Sequence, residues 1–199
     1  MRTQKKYKKS GEIKRILNES ISVSKAIIES RMQEIESIAQ LVVRAYSAGG
    51  KVLLLGNGGS AADAQHIAAE LVGKFALKRR AFPAIALTTN SSILTAVAND
   101  YGYGKVFSRQ VEALATDKDV VIGISTSGDS VNVIKAIKAA RLMRAQTVAL
   151  TGGDGGALAA AVDVALTVPS NCTPRIQEAH ILIGHIICEL VERELVSST

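Results

Sequence analysis

The 199-residue chain is 47% apolar and 21% charged, which excludes a disordered polypeptide and allows one domain. No stretch reaches the roughly 18 uninterrupted apolar residues of a membrane span, no apolar block follows the basic N-terminus as in a signal peptide, and Cys172 and Cys188 are too few for a disulfide framework, so a cytoplasmic protein without a membrane partner is expected. Residues 1–10, with Arg2, Lys5, Lys6, Lys8 and Lys9, hold five of the six net positive charges, and the chain has three phenylalanines, four tyrosines and no tryptophan, so neither a basic groove nor a stacking platform for nucleic acid is expected.

Residues 1–10 read as a solvated basic tail, expected to be disordered, ahead of a single domain over 11–199. Residues 11–48 read as a long N-terminal helix. Ile13, Ile16, Leu17, Ile21, Ile27, Ile28, Met32, Ile35, Ile38 and Leu41 recur there at helical spacing, and Gly49-Gly50 ends the run. Five short β-rich runs follow, at 51–55, 84–88, 120–125, 147–151 and 164–168. Helical segments at 60–73, about 91–115, 130–144 and 156–161 separate them. Apolar strands alternating with helices predict an α/β fold, a five-stranded parallel sheet covered by helices on both faces. A last helix spans 174–195, with Thr173 as the expected N-cap and Pro174 in its first turn.

Two strand-to-helix loops carry chemistry. Gly56-Asn57-Gly58-Gly59-Ser60 lets the backbone approach an anion at a helix N-terminus, yet it is neither a dinucleotide fingerprint nor a Walker A loop. Ser125-Thr126-Ser127-Gly128-Asp129-Ser130 places four hydroxyls in six residues, more than one N-cap requires and suited to a phosphate monoester. Both lie at carboxyl ends of strands, where open parallel sheets bind ligands. A small phosphorylated ligand is therefore the expected partner. The loop Thr151–Gly156 has fewer donors and an acid, Asp154, and reads as a turn.

His66 and Glu70, four apart on a helix, share one face as two metal ligands do. Gln177 and His185 on the last helix are eight apart, about 80° in projection. His180 falls off their line and reads as a core histidine. Spacing alone leaves a metal site and a salt-linked surface both open.

The segments GNGGSAADAQHIAAEL (56–71), AIALTTNSSILTAVANDYGYGKVFSRQV (84–111), ISTSGDS (124–130) and RIQEAHILIGHIICELVE (175–192) closely resemble the phosphoheptose isomerase family of sugar isomerase (SIS) domain proteins. The resemblance runs from about residue 11 to the C-terminus. It implies a three-layer, flavodoxin-like sandwich and a zinc ion held by His66, Glu70, Gln177 and His185. It further implies phosphate and sugar contacts from Asn57, Gly58, Gly59, Glu70, Asn99, Asp100, Ser125, Thr126, Ser127, Ser130 and Gln177, and a homotetramer with active sites where subunits meet. The implied reaction converts sedoheptulose 7-phosphate to D-glycero-D-manno-heptose 7-phosphate for cell-surface glycoconjugates such as lipopolysaccharide. In the expected enediol mechanism Glu70 is the base and His185 the acid. Two positions depart from many relatives: Asp129 stands where they carry Asn, and Lys74 where some carry Arg. The resemblance also admits non-catalytic SIS proteins, either sugar-phosphate sensors or binders of a DnaA-type replication initiator. Glu70, which the initiator-binding relative lacks, favours the enzyme.

Overall fold

Five short apolar runs pair into one all-parallel sheet in the computed structural model, which describes residues 9–197. The strands are β1 (Val52–Gly56), β2 (Ala84–Ala86), β3 (Val120–Ser125), β4 (Gln146–Gly152) and β5 (Val164–Val168), ordered β2-β1-β3-β4-β5. β1 and β3 are buried at every residue, because helices cover both faces and neither face needs polar side chains. Register and alternation divide the core. Val52, Leu54, Ile122 and Leu150 face one hydrophobic cluster, and Leu53, Leu55, Val121 and Ala149 face the other.

The first cluster is closed by α2 (Met32–Ser47), α3 (Gly59–Val72) and α8 (Thr173–Ser197), the second by α5 (Ser108–Leu114), α6 (Val131–Leu142) and α7 (Gly156–Ala159). The expected three-layer α/β sandwich is thus the observed one. The expectation of tail disorder over residues 1–8 lies outside the described residues, whereas Lys9 and Ser10 already belong to helix α1 (Lys9–Ser30).

Three expected elements are corrected. The helix expected over 11–48 is two helices, α1 and α2, broken at Arg31 (φ −134°, ψ 9°). Arg31 Nε donates to the Thr167 carbonyl at 2.9 Å, so a bond to β5 offsets the interrupted helix. The segment 91–115 is also interrupted, into α4 (Ser91–Tyr101), a 3₁₀ turn (Tyr103–Lys105) and α5, with the first break at Gly102. At the last helix the N-cap is Cys172, whose carbonyl accepts from Ile176 N–H at 3.0 Å, so Thr173 is already helical.

Candidate active site

The sheet order places a crevice between β1 and β3, because the chain leaves β1 toward one edge and β3 toward the other. Both expected ligand loops open there. In the first, Gly58 adopts φ 54°, ψ −121°, a left-handed conformation in which a side chain would be strained. Gly59 is bare for a different reason: a Cβ on it would lie 2.3 Å from Gln177 Nε2. Its absence lets the Gln177 amide lie on the loop.

In the second loop the hydroxyls face one another. Ser125 Oγ is 2.9 Å from Ser130 Oγ and 3.5 Å from Ser127 Oγ. Ser130 is the N-cap of α6, yet its side chain makes no capping bond, so the hydroxyl remains available to a ligand beside the helix N-terminus. Asp129 does not aim at these hydroxyls: its Oδ1 accepts from Ala157 N–H at 3.0 Å, in the first turn of α7. Gly128 (φ 71°) packs so closely that a Cβ would meet the Gly155 carbonyl oxygen at 2.0 Å. The loop 151–156 is a turn, as expected, with Asp154 Oδ1 accepting from Gly156 N–H at 3.1 Å. It also does more, walling a cavity of about 500 Å³ together with Thr126, Ser127, Asn171 and Thr173. A larger hollow of about 630 Å³ between α1 and the start of α8 holds none of the expected site residues.

Helices α3 and α8 run side by side, closely packed because Gly184 lacks a Cβ that would sit 2.6 Å from Ile67 Cδ1. That packing brings His66, Glu70 and His185 together, with one ligand atom from each lying within 4.8 Å of the others. The Nε2 atoms of His66 and His185 are 2.9 Å apart, and His66 Nε2 is 3.3 Å from Glu70 Oε1. Ligand atoms around a tetrahedral zinc ion stand about 3.3 Å apart, and two imidazoles with a carboxylate form a three-ligand set that leaves a position open. The donor set therefore fits a divalent zinc ion, and the His66 side chain is 49% exposed, so the open side is accessible.

Gln177, the fourth expected ligand, stands two turns before His185, about 12 Å along the helix axis. Its amide packs on Gly59, at the end of the site that the glycine loop occupies. Asn99 and Asp100 sit exposed near the end of α4. Asn99 Nδ2 donates to Asp100 Oδ1 at 2.8 Å, and neither residue bonds another expected site residue among those described.

Side chains that sequence reading missed hold this arrangement. Glu192, 1% exposed, accepts from the backbone N–H groups of Phe75, Ala76 and Leu77 at 3.0, 2.7 and 2.7 Å, and from Arg79 Nε at 2.8 Å. Burial pushes its pKa up, but the three backbone donors and the Arg79 charge outweigh burial and hold it below the usual carboxylate range. Arg79 Nη2 donates to the Glu70 carbonyl at 2.9 Å. The loop so clamped lays Phe75 against His185, ring centroids 5.5 Å apart. One turn before His66, Asp63 has a buried Oδ2 without a hydrogen-bond partner, and burial raises its pKa to about 6 against the opposing pull of His66. No spacing pattern pointed to Glu192 or Arg79, because their partners come from another part of the chain. His180 is fully buried, as expected, its Nε2 2.9 Å from the Thr151 carbonyl oxygen.

Comparison with known proteins agrees with the geometry. The SIS domain family model matches residues 17–152. The phosphoheptose isomerase of Citrifermentans bemidjiense is 58% identical over 184 residues, 92% of this chain and 96% of the relative. That of Aquifex aeolicus is 55% identical over 181 residues, 91% and 95% of the two chains. Among solved structures, the phosphoheptose isomerase of Neisseria gonorrhoeae superposes with a TM-score of 0.88 at 44% identity, covering 92% of this chain and 98% of that one. The Francisella tularensis phosphoheptose isomerase gives 0.90 at 37% identity, covering 93% and 98%.

Proposed function

This chain belongs to the phosphoheptose isomerase family of SIS-domain proteins, and from that premise we propose that it isomerises sedoheptulose 7-phosphate to D-glycero-D-manno-heptose 7-phosphate through an enediol. The observation that carries the reading is the convergence of His66, Glu70 and His185 across α3 and α8, with α3 starting from one of the two ligand loops that open at the sheet's switch point.

Ser125, Thr126, Ser127 and Ser130 bind the phosphate, and Asn57, Gly58 and Gly59 bind the sugar end of the same crevice, with Gln177 lying on that loop. Fixing the distant phosphate positions the reacting carbons, so binding energy contributes to rate. Glu70 removes a proton from carbon 1 with the carboxylate oxygen that does not face His66. His185 delivers a proton to carbon 2 from Nε2, and Phe75 against its ring limits how that imidazole turns. His66, Glu70 and His185 would hold the zinc ion, and Gln177, whose amide rests on Gly59, would be the further ligand that the family resemblance implies. Bound there, zinc supplies positive charge that polarises the substrate carbonyl. With zinc bound, Glu70 and His185 would be both ligands and proton carriers.

Asn99 and Asp100 complete the sugar site from α4, a helix with no buried residue in the single chain. Helix α1 leaves Ile13, Leu17, Ile21 and Ile28 at least 52% exposed, spaced four, four and seven along one face. Both features support a homotetramer in which neighbouring copies cover α1 and close the site. A phosphorylated substrate and product do not cross membranes unaided, which supports a cytoplasmic reaction, and heptose for surface glycoconjugates such as lipopolysaccharide is its outlet.

The test is turnover of sedoheptulose 7-phosphate by zinc-loaded protein in deuterated water, followed by NMR. An aldose heptose phosphate carrying deuterium at carbon 2 is the expected product. Folded, metal-loaded protein that yields no product overturns the enzymatic reading in favour of a sugar-phosphate or initiator-binding module.

A further inference from the structure

Asn57 is held by more than its own loop. Its Nδ2 donates to Asn132 Oδ1 at 2.9 Å, and Asn132 Nδ2 donates back to Asn57 Oδ1 at 2.8 Å. Asn132 is 4% exposed and sits in the first turn of α6, directly after the hydroxyl loop. The backbone sets its orientation, because Val133 N–H donates to Asn132 Oδ1 at 3.0 Å. Tyr103, from the 3₁₀ turn, donates its hydroxyl proton to Asn57 Oδ1 at 3.1 Å.

A primary amide has two N–H donors and one oxygen with two lone pairs. On Asn57 both lone pairs and one N–H are taken. One N–H remains, so Asn57 meets a ligand only as a donor. The terminal torsion of asparagine is broad and roughly two-fold. Without the pair, a flipped amide would turn its oxygen toward the ligand, where it repels a phosphate or carbonyl oxygen and loses the donor that such an oxygen needs. The reciprocal amide pair, with Asn132 buried, also holds together the groups it joins, here the loop after β1 and the loop after β3.

We propose that Asn132, assisted by the Tyr103 hydroxyl, is a positioning residue that locks Asn57 in its donor orientation and couples the two ligand loops. The proposal deepens the isomerase reading and rests on Asn57 being a substrate contact. Asn132→Ala raises KM for sedoheptulose 7-phosphate about tenfold, with kcat within about twofold, the effect of losing one or two oriented hydrogen bonds. Tyr103→Phe removes one hydroxyl from a ring that is 60% exposed, so it leaves Tm unchanged and raises KM about threefold. Because Asn132 acts through Asn57, the double variant Asn57→Ala, Asn132→Ala is no worse than Asn57→Ala alone. Additive losses in that cycle, or unchanged KM in both single variants of an active protein, overturn the positioning role alone. Wild-type protein without turnover overturns the isomerase reading and this one together.

Discussion

Glu192→Gln tests how the site is held. One carboxylate oxygen of Glu192 accepts from Ala76 and Leu77, the other from Phe75 and Arg79. A glutamine has one acceptor oxygen, so in either orientation two donors face its NH2. Hydrogen bonds to a charged group contribute about 1.5–3 kcal/mol each. Arg79, whose side chain is 3% exposed, would keep its carbonyl acceptors but remain buried without a counter-charge, and breaking such a pair costs about 3–5 kcal/mol. These overlap and do not add, so the expected destabilisation is about 4 kcal/mol, or a Tm lowered by roughly 10 °C for a chain of this size. Urea unfolding followed by circular dichroism, at fixed protomer concentration, reads it directly.

The pH dependence supplies a second check. A carboxyl whose folded pKa is lowered stabilises above its unfolded pKa, and that stability is lost as pH falls through the folded value. The variant therefore loses most at pH 7, and the difference from wild type narrows below about pH 4. A loss under 1 kcal/mol at pH 7, or one constant down to pH 3, would show that the clamp on Phe75–Leu77 does not depend on the Glu192 charge.

Asp129→Asn keeps an acceptor for Ala157 N–H and removes a negative charge from the hydroxyl loop. KM for the sugar phosphate should fall about threefold at low salt and the gain should shrink in 0.5 M salt; a salt-independent change would mean the carboxylate acts through loop shape. Asp63→Asn should stabilise the metal-free protein. A carboxyl with a folded pKa raised to about 6 contributes stability below its unfolded value and loses it as pH rises through 6. The gain should appear in thermal melts at pH 7.5 and vanish near pH 4, and equal melts at pH 7.5 would refute it. Leu17→Glu with Ile21→Glu charges the open stripe of α1. Light scattering should show a smaller assembly with unchanged circular dichroism, and an assembly of wild-type mass would show that the stripe is not an interface.

How much was legible in the sequence differs by element for a physical reason. Val120–Ser125 and Val164–Val168 were bounded correctly, because a strand covered on both faces is written as a short apolar run and needs no distant partner to be recognised. His66 and Glu70 were likewise visible as an i, i+4 pair, and the hydroxyl-rich loop 125–130 as an excess of donors over what a cap needs. Arg31 was not legible as a break, since the surrounding apolar residues keep helical spacing and only the Thr167 carbonyl of β5 draws the arginine aside. Gln177 shows the same limit. Its eight-residue spacing from His185 fits a shared face, but a bare Gly59 on another helix decides where its amide rests. Asn57 with Asn132, and Glu192 with the backbone of residues 75–77, join positions 75 and about 117 residues apart. Local sequence determines which segments become strands, helices and polar loops, through periodicity, glycines and capping chemistry. Which polar groups then satisfy one another is decided by the tertiary structure, because buried donors and acceptors take their partners from whatever the packed helices and loops bring within about 3 Å.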